Sequence, residues 1–355
     1  MAVEIADWND LDNVRNDLTG DYVLVNDLDS ETDGYAGIGD DWSPIAVPGF
    51  DGTPFSGSFD GDEFAIKDFV LGDPRDEGGN GLFGGVEGTD PSLMNILVSG
   101  VYSGVYSEDF AGGLVENLSI SGVINLTGFN GDPAFAGGLA GAVSDGSNGT
   151  IQNCVAHVDL TSDGDSVGGL VGEHNGQILE SYATGSVEGD DRVGGLVGRN
   201  FFTVKESYAM GSVEGEARVG GLVGENLDTV EDSYATGSVE GDDRVGGLVG
   251  DDSFGLGTTV DSYWDTETTG QSTSAGGTGL TTSEMQGSEA ETNMDGFDFS
   301  DVWNSVLESD SDTTADGYPI LLALDRENQL EAQGIFQGGE LQPPQPPENL
   351  TAELL

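Results

Sequence analysis

The hexapeptide Val-Gly-Gly-Leu-Val-Gly occurs four times, and its copies start at Val167, Val193, Val219 and Val245. Between the copies, the stretch Ser-Tyr-Ala-Thr-Gly-Ser-Val-Glu-Gly begins at Ser181 and returns almost unchanged from Ser207 and Ser233. The numbering gives a constant period of 26 residues. A fixed period of this size is typical of a solenoid, because so short a unit cannot bury its own core and must stack on its neighbours. The sequence therefore predicts a rod.

Glycine and β-forming residues dominate each unit. A glycine inside a helix costs about 1 kcal/mol relative to alanine, and each unit contains several, so we expect short strands joined by tight turns. Successive coils of such a β-helix lie about 4.8 Å apart, with equivalent residues stacked. Val193, Val219 and Val245 are predicted to form one inward row, and Leu196, Leu222 and Leu248 another. A flexible glycine-rich linker is the alternative, but linkers do not place Val, Leu and Tyr at fixed offsets.

Less regular copies of the unit precede the four regular ones. They begin at Ala136, Ala111 and Gly81, with steps of irregular length that indicate loop insertions. We predict an all-β fold, a β-solenoid of about six to seven coils across residues 71–264.

The two ends of the chain do not repeat, and we expect them to cap the rod. Residues 1–70 are assigned to an N-terminal cap and the first strands. Asp7 is placed to N-cap a short helix, whose apolar stripe would be Trp8, Leu11, Val14 and Leu18. Such a helix would cover an exposed β-edge that otherwise recruits other strands.

The C-terminal part divides into two segments. Residues 265–325 are assigned to an aromatic cap that would plug the other end of the rod with Phe297, Phe299, Trp303 and Tyr318. Residues 326–355 form a polar, Pro-rich tail, in which Pro343–Pro347 is a stiff spacer. We expect the tail to hold the rod to a larger assembly or an adjacent domain.

The repeat resembles the GLUG motif, seen here as Gly-Gly-Leu-Val-Gly followed by Ser-Tyr-Ala-Thr-Gly. The resemblance covers nearly the whole chain, including Phe55–Gly61 near the start and Ser262–Asp265 after the last copy. GLUG arrays look like surface-exposed solenoids of adhesins, large secreted proteins and some peptidases. The resemblance implies a module and an exposed setting, while a shared fold assigns no chemistry.

The chain is extremely acidic. Nine basic residues stand against 66 acidic ones, for a formal net charge of −57. Acids recur in register at Glu188, Glu214 and Glu240, and such ladders repel strongly unless salt screens them. At 1 M salt the Debye length is about 3 Å, which is less than one coil step. An acidic surface with only two lysines indicates an extreme halophile, a haloarchaeon or a virus that infects one; an acidic calcium-binding surface protein of a mesophile is the alternative. Nucleic acid is excluded as a partner by the sign of the charge.

Three arginines recur with the same period, at Arg192, Arg218 and Arg244. They could form a basic ladder that binds a ligand. They could instead neutralise the neighbouring acids and hold the coils together, which is the interpretation that we favour.

The search for catalytic groups is negative. His157 and His174 do not form an HExxH zinc motif, and no nucleophile elbow or P-loop occurs. We therefore predict no enzymatic activity, no catalytic residues and no cofactor beyond a calcium ion. Asp163 and Asp165 are the candidate Ca²⁺ ligands, because calcium prefers oxygen donors, although solvation in strong salt explains the same residues without an ion. Clustered acids on a β-helix could also serve a polysaccharide-active enzyme, but no pair of carboxylates stands out.

Function is predicted from the rod, its caps and its acidic exterior. We expect a non-enzymatic surface appendage, a fibre, spike or capsid decoration that adheres to a host surface protein or glycan; a secreted adhesin of a haloarchaeon is the alternative. The expected partners are other virion or cell-envelope proteins and further copies of the chain, as a homo-oligomer, without membrane insertion.

The single cysteine, Cys154, permits no internal disulfide. The chain starts at a methionine without a signal peptide, so we favour a virion component over a cell-surface protein.

Overall fold

Each coil of the repeat region contributes strands to three parallel sheets. The computed structural model describes residues 2–39, 42, 45, 55–62, 64–67, 86–87, 92–94, 97–102, 110–111, 114–126, 135–143, 149–252 and 255–337. The first copy of the motif, Gly81–Gly85, and the Pro-rich end of the tail lie outside the described residues. Within the described parts the predicted all-β solenoid is confirmed.

The first sheet has ten strands among the described residues, all parallel. Between the regular coils the paired strands lie 26 residues apart, for example at Thr203 and Thr229. The pairs at the two ends of this regular run are 27 and 29 residues apart. Seven of the ten lie between residues 71 and 264, in agreement with the expected number of coils. The strands are Val3–Ile5, Asp21–Leu24, Ser58–Asp60, Ser92–Met94, Leu114–Glu116, Thr150–Gln152, Gln177–Leu179, Thr203–Lys205, Thr229–Glu231 and Thr258–Val260.

The second sheet is larger, because each regular coil contributes two or three strands to it. Over the described residues it has 15 strands. They are Ala65–Lys67, Leu97–Tyr102, Ser119–Leu126, Phe135–Gly137, Val155–Ser162, Ser166–Gly168, Tyr182–Ala183, Val187–Glu188, Asp191–Gly194, Tyr208–Ala209, Val213–Gly220, Tyr234–Ala235, Val239–Gly246, Tyr263–Asp265 and Thr278–Leu280.

The third sheet closes each coil and has seven strands in the described part of the chain. They are Val86–Glu87, Phe110–Ala111, Ala140–Val143, Val171–His174, Val197–Asn200, Val223–Asn226 and Val249–Asp251.

The predicted apolar rows line the interior of the rod. Val193 pairs with Val219, and Val219 with Val245. Val193 and Val219 are fully buried, and Val245 is partly buried. The row of Leu196, Leu222 and Leu248 is fully buried as well. No helix occurs between residues 149 and 252, all of which the structure describes. The predicted alignment of one coil per repeat is confirmed.

The glycine pair inside each motif allows the coils to approach closely. A Cβ atom on Gly195 would lie well inside van der Waals contact of the carbonyl oxygen of Gly221, one coil further on, and of the Ala209 methyl group. The obstacle is backbone, which cannot move aside without separating the coils. Glycine is therefore required here by the stacking itself.

Polar side chains also stack inside the rod. The Ser181 backbone N–H donates to Ser207 Oγ at 3.2 Å, and Ser207 Oγ donates to the carbonyl oxygen of Lys205 at 2.8 Å. In a second row, Asn200 Nδ2 donates to Asn226 Oδ1 at 2.8 Å. These residues are fully buried, and the ladders satisfy polar groups that would otherwise destabilise the core.

A left-handed residue joins the first sheet to the second in six successive coils. Its φ angle lies between 41° and 56° in each case. Asparagine, which tolerates this conformation, occupies the first two positions, and acids occupy the rest. The residues are Asn117, Asn153, Glu180, Glu206, Asp232 and Asp261.

The predicted N-terminal helix is present at Trp8–Asn13 and continues as a 3-10 turn over Val14–Asn16. Asp7 caps it as expected, since its carboxylate accepts from the backbone N–H groups of Asn9 and Asp10. Trp8, Leu11 and Val14 are fully buried and extend the core of the rod. The helix ends before Leu18, which lies partly buried beyond it.

Residues 266–280 lie across the last coil. The Val239 N–H donates to the Thr269 carbonyl at 3.1 Å, and Thr278–Leu280 pairs with Tyr263–Asp265. The edge strand Val239–Gly246 is also protected by charge, since Glu240, Asp242 and Asp243 are exposed on it.

The chain then forms a small module of two antiparallel strands, Trp303–Val306 and Gly317–Leu321. A 3-10 turn at Thr282–Glu284 and helices Gly287–Asn293 and Arg326–Ala332 complete it. Residues 326–337, which were expected to begin the polar tail, are thus folded into this module, because Gln329 and Leu330 are buried in it. Its aromatics form a cap, but this cap covers the flank of the rod rather than plugging its end. The physical reason is a row of outward tyrosines on that flank, described below.

Candidate functional site

The acid ladder predicted from the repeat lies on the outside of the rod. Glu188 pairs with Glu214, and Glu214 with Glu240, on three adjacent coils. All three side chains are exposed. Neighbouring carboxylates therefore face one another across one coil step of about 4.8 Å, a distance at which they repel in dilute buffer and are screened in strong salt.

A groove of about 590 Å³ runs alongside this ladder. Asp190, Glu216 and Asp242 lie on it as well as the three glutamates, with glycines between the two acidic rows. Gln271 lies at one end, where its Nε2 donates to the Val239 carbonyl at 2.8 Å. No basic side chain is among the lining residues. A concave surface with six carboxylates concentrates cations near it.

The recurring arginines take part in ion pairs with the acids around them. Arg192 Nε lies 3.0 Å from Glu225 Oε2, and the same carboxylate lies 2.7 Å from Arg199 Nε. Arg218 Nε donates to Asp191 Oδ1 at 2.8 Å. Arg244, on the last coil, lies 3.2 Å from Asp251 and is about half exposed. Arg192 and Arg218 thus pair with acids of neighbouring coils, as the structural interpretation expects, whereas Arg244 pairs with acids of its own coil.

The candidate calcium ligands Asp163 and Asp165 are both exposed and lie on either side of the buried Gly164. The main-chain carbonyl of Asp165 accepts from Arg192 Nη1 at 3.2 Å. Within the described ranges, no group of three or more His, Cys, Asp and Glu side chains is arranged to hold a metal ion. Calcium binding at Asp163 and Asp165 stays a prediction.

The two histidines point in opposite directions from their strands, one outward and one into the interior of the rod. His157 faces outward against the Tyr182 ring, and its Nδ1 lies 2.7 Å from Thr184 Oγ1. Burial lowers the pKa of His157 to about 4, which makes it a weak general base near neutral pH. His174 faces inward, fully buried, in register with Asn200. Burial lowers the pKa of His174 to about 4 as well.

Cys154 occupies the position of the serine ladder in an earlier coil. It is fully buried, and the Cys154 N–H donates to Ser181 Oγ at 3.1 Å. Burial is the main reason that the pKa of its thiol is raised to about 12. The thiol is therefore a packing group, since the thiolate is the reactive form of cysteine.

A stacked row of tyrosines on the flank was not predicted. The ring centroids of Tyr182 and Tyr208 are 4.6 Å apart, and those of Tyr208 and Tyr234 are 4.9 Å apart, with nearly parallel planes. All three are buried under the C-terminal module. The available signal was the alternation of strand residues: Ala183 next to Tyr182 packs inside, so the tyrosine must point outward.

In the part of the chain that the structure describes, no helix combines the length and the apolar character needed to cross a bilayer.

Comparison with known proteins agrees with the repeat and the fold. The model of the GLUG motif matches residues 215–240. Halomucin of Haloquadratum walsbyi is 33% identical over 278 residues, which is 76% of this chain but only 3% of the halomucin sequence. The crystal structure of a candidate immunoglobulin A1 protease from Bacteroides ovatus has a TM-score of 0.50 and covers 90% of this chain and 92% of its own. At 20% identity that likeness shows the fold alone. The chain therefore forms a β-helix whose repeat matches the GLUG motif, and it has a haloarchaeal relative in sequence.

Proposed function

We propose that this chain is a non-enzymatic, surface-exposed rod of an extreme halophile, built to stay rigid in concentrated salt. The observation that carries the proposal is the exposed ladder of Glu188, Glu214 and Glu240 on a continuous, well-packed core. Stacked like charges are tolerated only where counter-ions screen them. The haloarchaeal relative supports the same environment.

The setting that we favour is the surface of a haloarchaeal cell, because the relative is a protein of such an organism. A virion appendage is the second setting. In either, the rod acts as a spacer that presents its flanks and loops, and repeated copies provide avidity for individually weak contacts. Adhesion to a glycan or surface protein through the loops near Pro133–Asn148 belongs to this proposal; parts of that segment lie outside the described residues.

Localisation on intact particles tests the proposal. Antibodies raised against the folded chain would be applied to unbroken cells of the source organism and to purified virus particles, both kept in strong salt. Labelling of unbroken cells supports the cell-surface setting, and labelling confined to particles supports the virion. Labelling seen only after lysis would contradict a surface role in both settings.

A further inference from the structure

The C-terminal module, residues 282–337, contacts the side of three successive coils. Tyr208 Oη lies 3.1 Å from Gln329 Oε1, and the Tyr234 hydroxyl donates to the carbonyl of Pro319 at 2.7 Å. The Tyr263 hydroxyl donates to the carbonyl of Asp295 at 2.8 Å. One module thus touches coils that are two steps apart.

Aromatic packing fills the space between these hydrogen bonds. Trp303 is fully buried and lies against both Tyr208 and Tyr234, with ring centroids 6.2 and 5.7 Å apart. Phe297 stacks on Trp303 at 4.6 Å and meets Tyr263 edge-on. The interface is therefore apolar, with polar contacts at its hydroxyl groups, and salt does not weaken such contacts by screening.

The module is itself anchored to the last coil. Asp265 is fully buried, and its Oδ2 accepts from the Tyr318 hydroxyl and from Thr282 Oγ1, both at 2.6 Å. Because this carboxylate is held on both sides, the module cannot swing away from the flank without breaking buried hydrogen bonds.

Two of the coils held in this way, those of Tyr208 and Tyr234, carry the acid-ladder residues Glu214 and Glu240. Glu188 lies on the preceding coil, whose Tyr182 stacks on Tyr208 and belongs to the same buried cluster. Repulsion between the glutamates and contacts with the module therefore act on the same stack of coils. In a simple solenoid each repeat contacts only its neighbours, and the last coil is free to fray.

We propose that the C-terminal module is a lateral strap, which makes the coils from Tyr182 to Tyr263 open as one unit and holds them together against the repulsion of their glutamates. Without the strap, these coils would open one by one from the last coil inward.

Hydrogen exchange with mass spectrometry on the full chain tests the strap. The test variant is Trp303→Ala, and Phe202→Ala is the matched control, because Phe202 is an exposed aromatic on the same rod. We expect amides in residues 182–263 of W303A to lose protection about tenfold or more, in a gradient that is steepest at the last coil, whereas residues 2–28 keep theirs. The loss should be larger in dilute salt than in strong salt. F202A should match the unchanged protein.

A milder pair of variants covers the case in which W303A does not fold. Tyr208→Phe and Tyr234→Phe each remove one hydrogen bond between strap and rod and leave the ring row in place. If the coils lose protection together with the module, the strap is supported. If the amides of the module exchange quickly while residues 182–263 keep full protection, the proposal is overturned.

Discussion

Ser207 donates its backbone N–H to Oγ of Ser233, at 3.1 Å, across two neighbouring coils. The same geometry joins Ser181 to Ser207 and Ser233 to Ser262. Each hydroxyl also donates to a carbonyl two residues earlier, so that it bridges its own coil and the preceding one. The row fixes the register of the coils, because a slip of one residue would leave several buried polar groups without partners.

The substitution Ser207→Ala should destabilise the rod. It leaves the Ser181 N–H and the Lys205 carbonyl without this hydroxyl, and a buried unsatisfied group costs about 1–3 kcal/mol. Denaturant unfolding in strong salt measures the loss. Ser212→Ala, at an exposed position in the same coil, is the control and should stay within about 0.5 kcal/mol of the unchanged protein.

The substitution Glu206→Asn should stabilise the rod. Glu206 has a φ angle of 52°, a conformation that costs most L-residues about 1–2 kcal/mol and that asparagine tolerates. Asparagine already occupies the equivalent positions 117 and 153. Glu214→Asn removes a glutamate from an extended strand and serves as the control. In strong salt, a melting temperature that rises for both variants alike would contradict the backbone explanation.

The substitution His174→Asn should make the free energy of unfolding less sensitive to pH below about pH 6.5. Burial lowers the pKa of His174 from 6.5 to about 4, so the unfolded chain takes up the proton first as pH falls. The contribution of His174 to the free energy of unfolding is fully present above pH 6.5. It falls by up to about 3 kcal/mol as the pH drops to 4, because each unit of pKa shift corresponds to about 1.4 kcal/mol.

The measurement for His174 is the difference in unfolding free energy between variant and unchanged protein from pH 7 to pH 4. Other titrating groups, including His157, are present in both proteins and cancel. The variant should gain on the unchanged protein as pH falls, because asparagine fits the row that Asn200 and Asn226 already form. Parallel curves over this range would show that His174 does not control acid unfolding.

The repeat alone was sufficient to place the inward rows, because identical residues at a constant period must stack. The first coils were harder to predict: Val3–Ile5 and Asp21–Leu24 pair in parallel with the same sheet but carry no copy of the motif. The left-handed turn was concealed by Glu180 and Glu206, residues that are not typical of that conformation. The strap depends on contacts between residues far apart in sequence, such as Tyr234 and Pro319, which no local pattern reveals.

Salt dependence tests the central claim most directly. Thermal melts of the unchanged protein and of the triple variant E188Q/E214Q/E240Q would be recorded from about 0.1 to about 2 M KCl, over which the Debye length falls from about 10 Å to near 2 Å. We expect the melting temperature of the unchanged protein to climb steeply. The triple variant should start higher in dilute salt and climb less, since it lacks the repelling ladder. A melting temperature of the unchanged protein that does not change with salt would contradict the claim that its acid ladder adapts the rod to strong salt. Equal slopes of melting temperature against KCl concentration for the two proteins would contradict it as well.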